Sequence, residues 1–227
     1  MIQHLLFTSC DAGSANFFSP VLKNLSTPFT VFAQDEAASI FQDQRIDFEQ
    51  VPPCTWSNLG EFGDKLLEDR NFEGVICGVS WGASVDKAVT LAARKKKIPT
   101  VAVIEHWDLY RERFSRLDRG KIVEADLYLP DSIWVNDVWA RSDAISAGLP
   151  EKLLVTIGQP YLEFQYQKLL SKKDVKLKDD IVFISERILE DSASIKGYHE
   201  YQVLDLVIEA IDFSKNRLVI KLHPQEN

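Results

Sequence analysis

The stretch GVICGVSWGASVDKAVTLAARKKKIPTVAVIE, residues 74–105, contains a strand, a helix and a second strand in succession. The apolar runs at 74–80 and 99–105 do not alternate with polar residues, which is typical of strands covered on both faces. Between them, apolar residues recur at helical spacing from Val85, with Ser84 as a candidate N-cap and a cationic C-terminal end. The pattern predicts a βαβ unit with two parallel strands.

The same alternation continues on both sides of this unit. An amphipathic helix is predicted at 198–213, and short apolar runs predict the remaining strands. We therefore predict an α/β protein with a doubly wound, parallel, Rossmann-like sheet in the common strand order 3-2-1-4-5. The remaining strands are expected at 3–9, 29–34, 46–51, 125–130, 153–160, 181–186 and 217–224.

A polar, lysine-rich segment divides the chain. SKKDVKLKDD (171–180) has no apolar period and is typical of a linker or exposed loop. We predict an N-terminal Rossmann-like domain at 1–160, a helix and linker at 161–179, and a partial βαβ unit at 180–227. A lone βαβ unit leaves one face of each element without a partner. It either extends the first sheet or belongs to a second Rossmann-like domain that is cut short, and domain size favours the second option.

Composition excludes several classes of protein. The 227 residues are 45% hydrophobic and carry a formal net charge of -8, which disfavours binding to nucleic acid. Three cysteines without CxxC spacing indicate reduced thiols in a cytoplasmic protein, and four histidines without an HxxxH or HExxH pair predict no metal site. The N-terminus is typical of a first strand and not of a signal peptide, and no apolar run is long enough to span a bilayer.

Two glycine-containing loops are expected to meet in one crevice. Ligands of doubly wound sheets bind beyond the carboxyl ends of the strands, where strand order reverses. The loops after the first and fourth strands, at 10–20 and 80–84, combine glycine, small hydroxyls and a helix start, and can offer backbone N–H groups to an anion or a sugar. Alternatively, their glycines only make tight turns. The substrate-binding candidates in these loops are Gly13, Ser14, Asn16, Ser80, Trp81, Gly82, Ala83 and Ser84.

The loop after the strand at 99–105 opens on the same crevice. Its sequence EHWDLYRERF (105–114) supplies groups to move a proton, an indole to cover a sugar or base, and guanidinium groups to hold a carboxylate or phosphate. Alternatively, the arginines begin a solvated helix with local ion pairs, and the aromatic side chains cover the end of the sheet. The proton-transfer candidates are Glu105, His106 and Asp108, and the binding candidates are Trp107, Tyr110, Arg111 and Arg113.

Known glycine motifs give little support to other enzymes. The chain has neither GxGxxG nor GxxxxGK[ST], which disfavours a dinucleotide site or a P-loop. GVSWG (78–82) does match the nucleophile elbow of serine hydrolases, with Ser80 as nucleophile and Asp131 as acid. His106 comes too early in the chain for the third member, and His223 comes two strands late. A serine hydrolase is thus a weaker alternative.

Four segments resemble bacterial surface-polysaccharide proteins with a GT-B glycosyltransferase-like fold. They are DAGSANFFSPVLKNL (11–25), EHWDLYRERF (105–114), the region from LPDSIWVND to IGQPYLE (129–163), and VIKLHPQE (219–226). The resemblance covers most of the chain in scattered short motifs. It implies two facing Rossmann-like domains, with the acceptor bound to the N-terminal one and the nucleotide-sugar to the C-terminal one, and catalysis without a bound metal or other cofactor.

The resemblance also implies roles for individual residues. Asp11 and Gly13 would line the acceptor side, and His106 and Asp108 would be candidates for the base. The stretch 158–160 would mark the passage between domains. The donor side would comprise Ser185, Glu186, Arg187, His223 and Glu226, although His223 also fits a simple strand end before a proline turn.

The predicted function is sugar transfer from a nucleotide-sugar to a cell-surface glycan acceptor. A donor domain of this type normally continues well beyond the HP segment, so we expect a fragment, a split-gene subunit or a degenerate relative. The alternative function is a non-catalytic sugar- or nucleotide-binding module, or a subunit whose second domain is completed by a partner chain. Association with a membrane, if any, would be peripheral.

Overall fold

A parallel sheet forms the centre of the N-terminal unit. The computed structural model describes residues 4–119, 121–171, 180–191 and 197–223, and the chain divides into two compact units, Met1–Ser171 and Lys172–Asn227. Within the described part of the first unit the strands are β1 (Leu5–Ser9), β2 (Phe29–Ala33), β3 (Glu49–Gln50), β4 (Gly74–Cys77), β5 (Thr100–Ile104), β6 (Ser115–Asp118), β7 (Lys121–Leu127), β8 (Ser132–Val135) and β9 (Leu154–Thr156).

Seven of these described strands form one sheet in the order β3-β2-β1-β4-β5-β8-β9, and every neighbouring pair is parallel. The predicted α/β Rossmann-like sheet and its central 3-2-1-4-5 order are confirmed. The helices of this unit are α1 (Ala12–Leu22), α2 (Asp35–Gln44), α3 (Leu59–Leu66), α4 (Val85–Lys95), α5 (Val138–Ser146) and α6 (Pro160–Leu170), with 3-10 turns at Glu112–Phe114 and Glu151–Leu153.

Helices cover both faces of the sheet, which explains the unbroken apolar strands. In β1, Leu6 belongs to a core cluster that includes Val89 of α4, whereas Phe7 belongs to the cluster that includes Phe18 of α1 and Phe41 of α2. Successive side chains of a strand point to opposite faces. The two sides of β1 are therefore both buried, and the sheet is fixed as the middle layer of three.

The strand predicted at 125–130 is wrong as a member of this sheet. β7 instead pairs with β6 in an antiparallel hairpin, and β8, which was not predicted, lies beside β5. Pro130 has no N–H to donate to a ladder. The carboxylate of Asp131 accepts hydrogen bonds from Thr100 N and Oγ1, at 2.9 and 2.8 Å, and aligns the start of β8 with β5.

The second unit has a smaller sheet. β10 (Asp180–Ile184) and β11 (Arg217–Lys221) are parallel, and the Asp180–Arg217 ion pair joins their first residues. In the described part of this unit two helices accompany them, α7 (Ile188–Asp191) and α8 (Glu200–Ala210). Among the described residues of both units, no helix combines the length and apolarity needed to cross a membrane.

Candidate functional site

The loops after β1, β4 and β5 are in direct contact, because these strands are neighbours and end at the same edge of the sheet. A Cβ atom at Gly13 would lie 2.6 Å from Glu105 Oε1, and one at Gly78 would lie 2.6 Å from Ser14 Oγ. The absence of a side chain at Gly13 therefore lets Glu105 approach the backbone, and its absence at Gly78 does the same for Ser14. The structure thus brings together the three loops that the sequence assigned to one crevice.

The loop after β1 uses its polar groups internally. Asp11 caps α1, and its carboxylate accepts hydrogen bonds from Ser14 N at 2.9 Å and Ser14 Oγ at 2.7 Å. Ser14 Oγ also shares a 2.6 Å hydrogen bond with Ser9 Oγ. The expectation that Ser14 offers its N–H to a ligand is therefore wrong, because the capping carboxylate of Asp11 takes it. Asn16, half-buried, lines a small cleft between α1 and α6 with Tyr161 and Phe164.

The loop after β4 ends in a buried polar network. Asp86 accepts hydrogen bonds from Thr8 Oγ1, at 2.7 Å, and from Ser80 Oγ, and burial raises the pKa of its carboxyl. Lys87, also buried, donates to the Ser80 carbonyl at 2.5 Å, and burial lowers its pKa to about 8. Ser84 caps α4 as predicted, through a hydrogen bond from Lys87 N at 3.5 Å.

This network does not favour the serine hydrolase. Ser80 is buried and its hydroxyl donates to a carboxylate instead of a histidine. The left-handed residue of the loop is Gly82, with φ 71°, two positions after the serine. The GVSWG match is therefore explained by a glycine turn that precedes α4.

Glu105 lies where the loops after β1 and β5 meet, in contact with Gly13, His106 and Arg113. Its side chain is buried, with Oε1 3.1 Å from His106 Nε2 and 3.7 Å from an amino group of Arg113. Within the described residues, neither carboxylate oxygen has a hydrogen-bond partner of good geometry. A buried carboxylate in this state is costly to the fold, and such groups concentrate at functional sites.

His106 and the residues after it turn toward solvent. The His106 imidazole is half-exposed, and the Glu105 carboxylate raises its pKa. Trp107 is 44% exposed, and its Nε1 donates to Asp137 Oδ2 at 2.7 Å. Asp108, exposed, accepts a hydrogen bond from Leu109 N at 2.7 Å. The imidazole is thus the group that joins the buried acid to solvent.

Two predicted binding residues have structural roles instead. Tyr110 is buried in an apolar cluster with Phe114 and Leu149, and burial raises the pKa of its hydroxyl to about 12. Arg111 forms an ion pair with Glu124 of β7. Both are corrections to the binding set, because the apolar packing and the local ion pair named as alternatives are what the structure contains.

Arg113 is the arginine that reaches the site. The 3-10 turn Glu112–Phe114 carries it inward, where it is buried and its guanidinium lies 5.5 Å from the ring centroid of Trp81. Its Nε has no hydrogen-bond partner among the described residues. The guanidinium therefore adds a buried positive charge beside Glu105.

Two amides support this loop; Asn136 was not predicted, and Gln159 was expected only to mark the passage between domains. Asn136, after β8, donates to the His106 carbonyl at 3.4 Å, and Gln159, after β9, donates to the Glu105 carbonyl at 3.4 Å. Gln159 also caps α6. Their position just beyond the next two strands of the sheet is the signal that could have identified them.

The predicted donor residues belong to the second unit. Ser185, Glu186 and Arg187 follow β10, and His223 follows β11, so the parallel pairing places them at the same edge of the small sheet. Ser185 is buried and its N–H donates to the Lys221 carbonyl at 2.8 Å. Glu226 lies outside the described residues.

No protein-family model and no curated protein sequence matches the chain. Solved structures do share its fold. The S. aureus protein MnaA, solved with UDP, is 14% identical with a TM-score of 0.64, over 99% of this chain and 63% of MnaA. The UDP-N-acetylglucosamine 2-epimerase from Rickettsia bellii is 17% identical with a TM-score of 0.63, over 99% of this chain and 63% of the epimerase.

A glycotransferase of kitacinnamycin is also similar, with 13% identity and a TM-score of 0.56, over 100% of this chain and 67% of that protein. The chain therefore spans about 63% of the length of MnaA and of the Rickettsia epimerase. At these identities the likeness shows the fold alone: a Rossmann-like, GT-B-like fold, in agreement with the sequence prediction.

Proposed function

We propose that this chain takes part in sugar transfer from a nucleotide-sugar to a glycan acceptor of the cell surface. The observation that carries the proposal is the buried Glu105 carboxylate, 3.1 Å from the half-exposed imidazole of His106 where three loops meet. An acceptor hydroxyl attacks the anomeric carbon, and His106 takes its proton as the new C–O bond forms. Glu105 stabilises the resulting imidazolium, which is consistent with the raised pKa of His106.

The bond from the sugar to the diphosphate breaks in the same step, and the nucleoside diphosphate leaves. In the proposal, departure of the diphosphate requires no metal. The reaction takes place in the cytoplasm, a location supported by three free, buried cysteines. MnaA solved with UDP supports the choice of a nucleotide-sugar as the donor.

A second candidate is epimerisation of a UDP-sugar. The similarity to the Rickettsia UDP-N-acetylglucosamine 2-epimerase favours it. In this reaction His106 takes the proton of a sugar carbon as the neighbouring bond to the diphosphate breaks, and return of the diphosphate, with a proton from solvent added to the other face, restores the nucleotide-sugar. This reaction needs no acceptor. Its product also differs from that of transfer: the configuration of one sugar carbon is inverted, and the sugar stays attached to the nucleotide.

Incubation of the chain with UDP-, CDP- and GDP-sugars in D2O, with and without glycan acceptors, separates the two. Transfer releases nucleoside diphosphate only when an acceptor is present, whereas epimerisation incorporates deuterium at the inverted carbon without one. Glu105→Gln is expected to slow the reaction by about 100-fold, and Glu61→Gln, an exposed acid of α3, serves as the matched control. Equal rates for wild type and Glu105→Gln would contradict the assigned role.

The non-catalytic alternative predicts a partner chain instead. Apolar side chains of the second unit support it, because Val182, Ile184 and Leu206 are all exposed. Light scattering coupled to size-exclusion chromatography tests it directly. A stable complex with a second protein, together with nucleotide-sugar binding but no turnover by the chain alone, would favour a subunit of a split enzyme.

A further inference from the structure

Three of the five tryptophans follow neighbouring strands of the large sheet. Trp81 follows β4, Trp107 follows β5 and Trp139 follows β8, and these three strands are adjacent. The side chains are unusually open for this residue type, with exposures of 45%, 44% and 75%. We refer to Trp81, Trp107 and Trp139 as the tryptophan rim. Exposed aromatic groups in such an arrangement mark an interaction surface.

The rim is held in place by polar contacts. Trp81 packs on the Arg113 guanidinium at 5.5 Å, and Trp107 donates to Asp137 at 2.7 Å. Asp137 is also the N-cap of α5, whose second residue is Trp139, and it accepts a 2.7 Å hydrogen bond from Ala140 N. Two of the three indoles are therefore tied to charged groups of the loop edge, and Asp137 links the second to the helix that carries the third.

The charges around the tryptophan rim indicate which kind of ligand it can bind. Asp137 accepts a hydrogen bond from Trp107, and Asp108 is the next residue in the chain. Two half-buried arginines near the rim in the chain form ion pairs, Arg111 with Glu124 and Arg141 with Glu151, and the Arg113 guanidinium beneath Trp81 is buried. The chain as a whole carries a net charge of -8. An anionic bilayer is disfavoured on such a surface. A neutral glycan is favoured, because the apolar faces of sugar rings stack on indoles and sugar hydroxyls donate to carboxylates.

Adjacent strands are about 4.8 Å apart, so the ends of β4, β5 and β8 span about 10 Å, and one sugar ring on each of the three indoles makes three sugar units. We propose that the tryptophan rim binds a neutral oligosaccharide of at least three sugar units and so makes the acceptor a glycan chain instead of a single sugar. The inference rests on the proposed function for the identity of the site. It adds Trp139, a residue outside the acid–imidazole pair, as a determinant of acceptor length.

The test measures binding without any nucleotide-sugar, so that it is independent of transfer. Saturation-transfer NMR and calorimetry with the whole chain use malto-, cello- and chito-oligosaccharides of one to six units as probes. At least one series is expected to bind more tightly as it lengthens to three units and then to level off. Trp139→Ala is expected to weaken trisaccharide binding by about three- to tenfold, and Trp139→Phe to retain most of it. Tyr201→Ala, an exposed aromatic of the second unit, is the matched control.

The inference is overturned if no series binds, if binding is independent of length, or if Trp139→Ala binds as wild type does. Sedimentation of the chain with phosphatidylcholine–phosphatidylglycerol vesicles, lost in Trp139→Ala, would also overturn it and assign the rim to a membrane. Length-dependent glycan binding by a chain that turns over no nucleotide-sugar would support the rim and contradict the transferase separately.

Discussion

Gly13 and Glu105 lie too close for any side chain at position 13, since a Cβ atom there would stand 2.6 Å from Glu105 Oε1. The first loop of the sheet therefore closes directly over the acid that follows β5. This contact explains how Glu105 stays buried although it sits at the end of a strand, next to an exposed histidine. It also couples the geometry of α1 to the position of the carboxylate.

Gly13→Ala is expected to displace the Glu105 carboxylate and to reduce turnover by about tenfold or more, because misplacement of a reacting group by an ångström is costly. The loss of stability should be smaller than for Gly63→Ala, because here side-chain atoms of Glu105 must move, whereas Gly63→Ala presses on the backbone of α4. Turnover and the NMR signal of the His106 imidazole measure the effect.

The double variant Gly13→Ala/Glu105→Asp provides the control. The shorter carboxylate leaves room for the methyl group, so part of the lost turnover should return. A double variant no better than Gly13→Ala would show that the contact does not set the position of the acid.

Gly63→Ala is expected to destabilise the protein by about 2–3 kcal/mol, because overpacking forces the backbone apart. A Cβ atom at Gly63 of α3 would lie 2.1 Å from the Ala88 carbonyl oxygen of α4. Gly60→Ala in the same helix is the control, since its nearest neighbour would be Leu91 Cδ2 at 3.8 Å. Denaturant unfolding should show a lower free energy of unfolding for Gly63→Ala and an unchanged one for Gly60→Ala.

The order of the sheet could be predicted because it depends on local patterns. Unbroken apolar runs and amphipathic helices alternate along the chain, and the parallel order follows from their connections. β8 escaped prediction because it is only four residues long and begins two residues after the run at 125–130, which the sequence predicts as the strand of this part of the chain. The pairing of β7 with β6 is a tertiary choice, which periodicity does not encode.

The same hairpin limits what could be known of the site. Without β7, the ion pair between Arg111 and Glu124 cannot be anticipated, and Arg111 and Arg113 are equivalent in the sequence. One 3-10 turn decides between them, turning Arg113 inward and leaving Arg111 at the hairpin. The sequence therefore predicts that the candidate site follows β5, but tertiary packing decides which side chains of that loop point into the site.

His106 is expected to titrate above the ordinary histidine pKa of 6.5, because Glu105 stabilises the imidazolium. A raised folded-state pKa means that this pair stabilises the fold below pH 6.5, and that the contribution is lost as the pH rises through the folded value. NMR titration of the histidine ring protons, assigned with His106→Gln, should show the pKa falling in Glu105→Gln. An unchanged pKa in that variant would remove Glu105 as the cause.

Lys87 is expected to make the protein more stable as the pH rises from about 8 to 10.5. Burial lowers its folded-state pKa to about 8, against an ordinary 10.5, so across this range the unfolded chain binds a proton that the folded chain has released. Stability rises with pH wherever the unfolded state binds more protons, here by on the order of 2 kcal/mol. Lys87→Met should abolish this rise.

Buried thiols lower the stability as the pH rises, which opposes the effect of Lys87. The difference in stability between variants therefore isolates the contribution of Lys87. Burial raises the pKa of Cys77 to about 12, which means that only the unfolded chain ionises above pH 9 and that stability falls there. Lys95→Met, an exposed lysine of the same helix paired with Asp64, retains both effects and is the matched control. Denaturant unfolding at pH 7.5 and 10 measures this. Between the two pH values, the free energy of unfolding of wild type and of Lys95→Met should rise relative to that of Lys87→Met. Parallel pH profiles for all three would mean that Lys87 is not held in its buried position by the Ser80 carbonyl.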